Sequence, residues 1–336
     1  MTTLAPVPEV TSFGGTAAGI HRLSLWTPFG FRVNTYVIDD DPLTLFDTGP
    51  RADRVIDELE YGLAALGRQL DNIERIVVSH HHMDHLGNVA QIAARSGAEV
   101  VALDGLADWM PRYEEQSAAD DNHFSSILMR QGYSADLLEQ IGQKALWYRR
   151  WGTASDADVR LVDGDRLHFA GRVLRAFHRP GHSSTDTIFV DEHRGLMFGA
   201  DHLIANVSSN PLLCRPAPDG ARARPLIDYR RSLRATRELE LQLVLPGHGD
   251  VIVDHRALVD RRLVEHEERA EELERLLRGD RALSGCDLVR AMWGAPDPQQ
   301  LYLPLSEVLG HMDLLLDRGS VAETVDDEGV VRYAAI

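Results

Sequence analysis

The chain has 336 residues, 44% of them hydrophobic and 26% charged, and carries a net charge of −17. That composition supplies an ordinary globular core for one large domain or two smaller ones, and the acidic balance argues against a non-specific polyanion binder, which needs clustered Lys and Arg. Two cysteines, Cys214 and Cys286, are too few for a disulfide framework; with no leader-like N-terminus and no run of membrane-span length, a cytoplasmic protein is expected.

Residues 1–17 read as a flexible tail. Gly19–Leu25, Asn34–Asp39 and Leu43–Phe46 read as strands, the third running into the tight turn Asp47-Thr48-Gly49-Pro50. Ala52–Leu70 carries Val55, Ile56, Leu59, Leu63 and Leu66 near helical spacing. Ile73, Ile76, Val77 and Val78 then predict a buried strand. It leads into Ser79-His80-His81-His82-Met83-Asp84-His85, with a helix-like stretch over Val89–Arg95 beyond. A site placed where a strand ends and a helix begins is usual for an α/β layer. His80 and His82 are two apart, so in extended chain they point the same way and can hold one metal together. Asp84 and His85 follow where the chain turns, and can face a second position. Imidazole and carboxylate suit zinc or iron. A surface patch that scavenges metal is the plain alternative.

Ala98–Leu103 is a further strand. Residues 105–152 show no strand alternation and hold three of the five tryptophans. They read as two or three inserted helices. Their aromatics either pack the insert onto the core or line a lid pocket for an apolar substrate, with Trp109, Tyr113, Phe124 and Trp147 as candidate contacts. Val159–Phe169 and Val173–Phe177 predict a hairpin around Gly171 that ends at His178-Arg179-Pro180-Gly181-His182, His178 being structural. Thr187–Val190 and Gly195–Phe198 form a strand pair ending in Gly199-Ala200-Asp201-His202. Residues 205–225, with Pro211, Pro216, Pro218 and Gly220, read as loop. Tyr229–Leu239 is helical, and the strand Leu241–Leu245 leads to Pro246-Gly247-His248-Gly249. Arg256–Arg278 is a long charged helix stopped at Gly279-Asp280. Helices over Cys286–Trp293 and Pro304–Arg318 follow, then a hairpin of Val321–Val325 and Val330–Tyr333.

The segment His-x-His-x-Asp-His resembles the signature of the metallo-β-lactamase superfamily of hydrolases. Asp47, His182, Asp201 and His248 stand in that family's order, each after a predicted strand, with Ala200 where the family often has Gly. The resemblance implies an α/β fold: a four-layer αββα sandwich over residues 18–255, a helical insert at 105–152 and a small winged-helix-like domain at 256–336. It implies that His80, His82 and His182 hold one metal. Asp84, His85, Asp201 and His248 would hold a second, with Asp201 shared. Asp47 and His202 would stand behind the ligands, and Asp84 would also orient the nucleophile. Two divalent ions are implied, zinc by default, with iron or manganese also suited. Their bridging hydroxide would attack a thioester, lactone or other carboxylic ester of a small or acyl substrate. A metal-dependent endoribonuclease or phosphodiesterase, and a non-catalytic metal-bound scaffold or sensor, are the alternatives.

Flavodiiron reductases of the superfamily have Glu where this chain has His82, and no flavin domain is present, which argues against O₂ reduction. The compact persulfide dioxygenases lack such an insert and tail. The helix over 304–317 offers Glu307, Asp313 and Asp317 and no Lys or Arg before Arg318, so nucleic acid is not the expected partner of the tail. A structural or homodimer-forming role fits it better.

Overall fold

The computed structural model describes all residues except 1–6, 217–219, 221, 280 and 298–299. Pro218 of the predicted loop, Asp280 of the predicted helix stop and the first six residues of the predicted tail fall outside the described residues. Strands β1 (Glu9–Ser12), β2 (Ile20–Trp26), β3 (Arg32–Ile38), β4 (Thr44–Phe46), β5 (Arg75–Val77), β6 (Glu99–Leu103) and β7 (Val159–Leu161) form one sheet in sequence order. β8 (Arg166–His168), β9 (Val173–His178), β10 (Thr187–Asp191), β11 (Leu196–Ala200) and β12 (Leu243–Pro246) form a second sheet in the order 12-11-10-9-8.

The alternation of side chains assigns the layers. On β5 and β6, Val77 and Val101 face the second sheet, whereas Ile76, Val100 and Ala102 face away from it. On β10 and β11, Phe189, Leu196 and Phe198 face the first sheet, and Ile188, Val190 and Met197 face out. Phe46 and Phe198, one from each sheet, stack at 4.8 Å and seal the middle. The outer face of the first sheet is covered by α1 (Asp53–Ala65), α2 (Met83–Leu86), α3 (Val89–Ser96) and α4 (Asp104–Trp109). The insert continues as α5 (Tyr113–Arg130) and α6 (Ala135–Arg149). α7 (Pro225–Arg237) and the start of α8 (His255–Leu276) cover the second sheet. The result is helix, sheet, sheet, helix, in which each sheet buries both faces.

Beyond it, α8, α9 (Gly285–Trp293), α10 (Tyr302–Arg318) and the antiparallel pair β13 (Val321–Val325) and β14 (Val331–Ala335) enclose a separate apolar cluster. Phe124 and Leu128 of α5 belong to that cluster, so the insert and the C-terminal region share one core.

Four expectations need correction. The chain is not loose over residues 7–17: Glu9–Ser12 pairs with His21–Ser24, and Ala17 is fully buried. The strand expected over 159–169 splits between the two sheets. Asp163-Gly164-Asp165 makes a turn in which the Asp165 carboxylate accepts from Val162 N at 2.8 Å, and Gly164 takes a φ of 94°. The first helix stops at Ala65, because Gly67 turns left-handed at φ 71°. The helix expected from Tyr229 starts earlier, at Pro225, since proline suits the first helical position.

Candidate metal centre

The seven proposed ligands come from the C-terminal ends of strands. β5 delivers His80 and His82 and passes straight into the single turn of α2, which carries Asp84 and His85. β9 leads to His182, β11 to Asp201 and β12 to His248. They meet as two adjoining groups. The first joins His80, His82, His182 and Asp201, the second Asp84, His85 and His248, with ligand atoms in each group within 4.8 Å of one another. Asp201 touches both: its Oδ2 lies 3.4 Å from His182 Nε2 and 3.3 Å from His248 Nε2, and its Oδ1 lies 3.3 Å from His85 Nε2.

Hydrogen bonds at the outer ring nitrogens decide what each histidine offers inward. His182 Nδ1 donates to the Asn210 carbonyl at 3.1 Å, His248 Nδ1 to the Arg32 carbonyl at 2.8 Å, and His85 Nδ1 to Asp47 Oδ2 at 2.8 Å. Ser79 Oγ gives its proton to Asp47 Oδ2 at 2.8 Å, so it accepts from His80 Nδ1 at 2.9 Å. In each neutral imidazole the inner Nε2 is therefore a bare lone pair. His82 alone presents Nδ1 inward, 3.0 Å from His80 Nε2 and 2.9 Å from His182 Nε2. One nitrogen cannot donate to both, and in the neutral ring, with its proton on Nδ1, His85 Nε2 faces Asp201 Oδ1 at 3.3 Å as one acceptor against another. Converging lone pairs and carboxylate oxygens of this kind fit divalent cations.

Burial keeps His80 and His82 neutral, their pKa values falling well below the ordinary one, and the neighbouring imidazoles push the same way. Burial also works against charge on His85, but Asp201, Asp47 and Asp84 outweigh it and raise its pKa. Burial likewise opposes ionisation of Asp84, which the charges of His85 and His248 overcome.

The backbone bends to build this cage. Among the described residues only Asp47 (φ 59°) and Ala200 (φ 41°) take positive φ without being glycine, and both adjoin ligands. Gly247 is required by close approach, since a Cβ there would sit 2.3 Å from Asp201 Oδ1.

The other candidates divide. The Asp47 carboxylate accepts from the His85 ring, and Ser79 and the Asn210 carbonyl, which motif reading missed, accept from those of His80 and His182. His202 is bound elsewhere: it is buried, bonds Thr236 Oγ1 at 2.9 Å and makes no hydrogen bond to any ligand. Its place behind the ligands is therefore corrected. Trp109 packs on His81 at 4.8 Å. Tyr113 (2% exposed) and Phe124 (7% exposed) are core, Phe124 against Tyr302 at 4.5 Å, so neither offers a face to a ligand. Trp147 instead meets Phe29, a residue of the β2–β3 turn that sequence reading passed over. Two aromatics in Thr27-Pro28-Phe29-Gly30-Phe31, a turn that would otherwise be polar, were the available signal. Surface recesses of about 700 and 630 Å³, at Asp39–Asp41 and at Arg166–Arg175, contain none of the seven.

The profile of the metallo-beta-lactamase superfamily matches residues 28–248. A Bacillus subtilis (strain 168) protein named Probable metallo-hydrolase YqjP is 29% identical over 314 residues, 89% of this chain and 93% of that one. An Aspergillus terreus protein, atrochrysone carboxyl ACP thioesterase, is 28% identical over 103 residues, 30% of this chain and 28% of its own. A crystal structure of a beta-lactamase domain protein from Burkholderia ambifaria superposes with a TM-score of 0.83 at 22% identity, covering 100% of this chain and 96% of that one.

Proposed function

The chain belongs to the metallo-β-lactamase superfamily, and with its likeness to a protein named a probable metallo-hydrolase we propose that it is a two-metal hydrolase of thioesters or other carboxylic esters with an apolar acyl or small-molecule substrate. The observation that carries the reading is Asp201, one carboxylate reaching both ligand groups. Divalent ions, zinc by default, would acidify water from a pKa near 16 toward about 7 and neutralise charge developing on the carbonyl oxygen. His80, His82 and His182 would hold one ion, and Asp84, His85 and His248 the other.

The rest is the work of the chain itself. Asp84, with Oδ2 3.5 Å from His248 Nε2, accepts a hydrogen bond from the attacking water, orients it and takes its proton. The ring anchors at Ser79, Asp47, Asn210 and Arg32 hold the imidazoles in place, so no reorganisation is needed during reaction. The thioester choice draws on the relative named as an ACP thioesterase, which matches over a short segment.

Residues 256–336 act as a winged-helix-like structural domain, with a homodimer as the candidate assembly and no nucleic acid. Two unpaired thiols, Cys214 and Cys286, support a cytoplasmic setting. No helix among the described residues is long and apolar enough to cross a membrane.

The test is the double substitution His82→Ala with Asp84→Ala, read with metal analysis and circular dichroism. Hydrolysis of a panel of acyl-coenzyme A, lactone and aryl ester substrates should vanish with the fold kept. Activity that survives it, or a zinc-loaded wild type that cleaves no member of the panel, overturns the reading.

A further inference from the structure

A continuous row of rings leads away from the metal centre. Phe31 meets the His248 imidazole edge-on, centroids 5.0 Å apart, yet is 51% exposed. Phe29 packs on Phe31 at 5.7 Å and reaches α6, lying 5.9 Å from Trp147 and 5.2 Å from Tyr148. At the far end stand two cations. Lys144 Nζ lies 4.2 Å from the Trp147 ring centroid and 5.1 Å from that of Tyr148. The Arg150 guanidinium lies 5.3 Å from Trp147. Lys144 is the only lysine in the chain. Among the described residues, neither Lys144 nor Arg150 has a carboxylate within ion-pair distance, although the protein carries 52 acidic residues.

Ring packing alone explains Phe29 and Trp147. It does not explain a half-exposed Phe31 against a ligand histidine, nor cations left unpaired in so acidic a chain. An apolar face that starts at the reacting centre is best covered by substrate. Cations at its far end, with no acid among the described residues to neutralise them, complement an anion.

We infer that the substrate carries an apolar group beside the bond that is cut and an anionic group, carboxylate or phosphate, beyond it. The apolar group lies along Phe31 and Phe29, and the anion rests between Lys144 and Arg150. The inference rests on the hydrolase reading, which it deepens by requiring both parts in one substrate. Hydrolysis then balances simply: water adds its oxygen to the acyl carbon, the bond to the thiol or alcohol breaks, and the leaving group takes a proton.

Three thioesters of acetic acid, each with a six-carbon thiol that sets the apolar chain beside the bond, separate the possibilities: with 6-mercaptohexyl phosphate, with neutral hexanethiol, and with 6-mercaptohexanoic acid. The zinc-loaded full chain should prefer one of the anionic substrates by kcat/KM. The double substitution Lys144→Gln with Arg150→Gln should lower that preference over the hexanethiol ester about tenfold, chiefly through KM. Preference for the mercaptohexyl phosphate assigns phosphate, and preference for the mercaptohexanoate assigns carboxylate. Phe31→Ala should raise KM for all three by about tenfold. An unchanged preference in the double variant overturns the inference. Binding gives a readout independent of turnover. The matching S-ethyl thioethers, which cannot be hydrolysed, are titrated by tryptophan fluorescence. Anionic thioethers that bind tighter than the neutral one support the inference even if no thioester is cleaved, a result that would sink only the hydrolase reading. Equal binding of all three overturns it.

Discussion

Two sets of buried or half-buried histidines in this protein differ in their surroundings. In the candidate metal centre, the outer nitrogens of His80, His85, His182 and His248 are bonded and the inner ones converge with Asp84 and Asp201. Between α8 and α10, His266 and His311 lie 5.9 Å apart, each 4% exposed or less. Among the described residues, His266 Nδ1 and His311 Nε2 find no hydrogen-bond partner. The nearest carboxylate is Glu307, 3.9 Å from His311 on the opposite nitrogen, Nδ1, while Arg230, Arg262 and Arg269 lie around the pair. Burial therefore does not make a ligand of a histidine. A fixed tautomer is not enough either, since His311 Nδ1 donates to the Glu307 carbonyl at 2.7 Å and leaves Nε2 a lone pair; a ligand set also needs carboxylates aimed at that point, and the second pair has none there among the described residues.

The most severe way to break the contrast is to remove the shared carboxylate. Asp201→Ala takes an oxygen from both ligand groups, so activity should fall by a factor on the order of a thousand or more. The metal content of the purified protein should fall with it. Full metal occupancy in the variant would show that Asp201 is not shared.

A milder change acts one layer out. Asp47→Asn keeps the shape but removes a charge that holds both His85 Nδ1 and Ser79. Metal affinity, measured by competition with a chelator, should weaken by roughly 10- to 100-fold. An effect below twofold would reduce Asp47 to a turn residue.

The second pair should respond to acid and not to metal. Burial first, then the positive charges of His311, Arg230 and Arg262, lower the His266 pKa to about 3. The sign follows from linkage. The unfolded imidazole binds a proton near pH 6.5 and the folded one resists it, so this stability is present above pH 6.5 and is lost as pH falls toward 3. Between pH 7 and pH 5 the loss from this one group is about 2 kcal/mol. Chemical denaturation of His266→Leu at the two pH values should show a pH dependence smaller by about that amount. An identical slope would refute the assignment.

The same contrast marks how far sequence reading reached. The sandwich and the meeting of the seven candidate ligands were legible because each of these residues follows a strand within a few residues, so local spacing carries the geometry. Asn210, Ser79 and the Arg32 carbonyl were not, because a hydrogen bond to a ring nitrogen leaves no spacing pattern. Phe29 and Phe31 were missed for a related reason: their partners, His248 and Trp147, are tertiary neighbours with no shared motif. Phe124 failed the other way. An aromatic in the insert looked like pocket lining, but α5 spends that face on the C-terminal cluster.

The smallest test returns to Ala200, which stands where the family often has glycine. Its φ of 41° lies in the left-handed region, which costs an L-residue roughly 1–2 kcal/mol. The strain is kept because Gly199-Ala200 must turn the chain out of β11 so that Asp201 reaches both ligand groups, and Ala200 O accepts from Gly247 N at 2.7 Å. Glycine would release the strain but lose more entropy on folding, by roughly 0.5–1 kcal/mol relative to alanine. The two effects nearly cancel. Ala200→Gly should therefore raise stability by no more than about 1 kcal/mol and leave metal affinity within about twofold. A large gain in stability with weaker metal binding would mean that the alanine strain itself helps to aim Asp201, and would move Ala200 from tolerated departure to part of the centre.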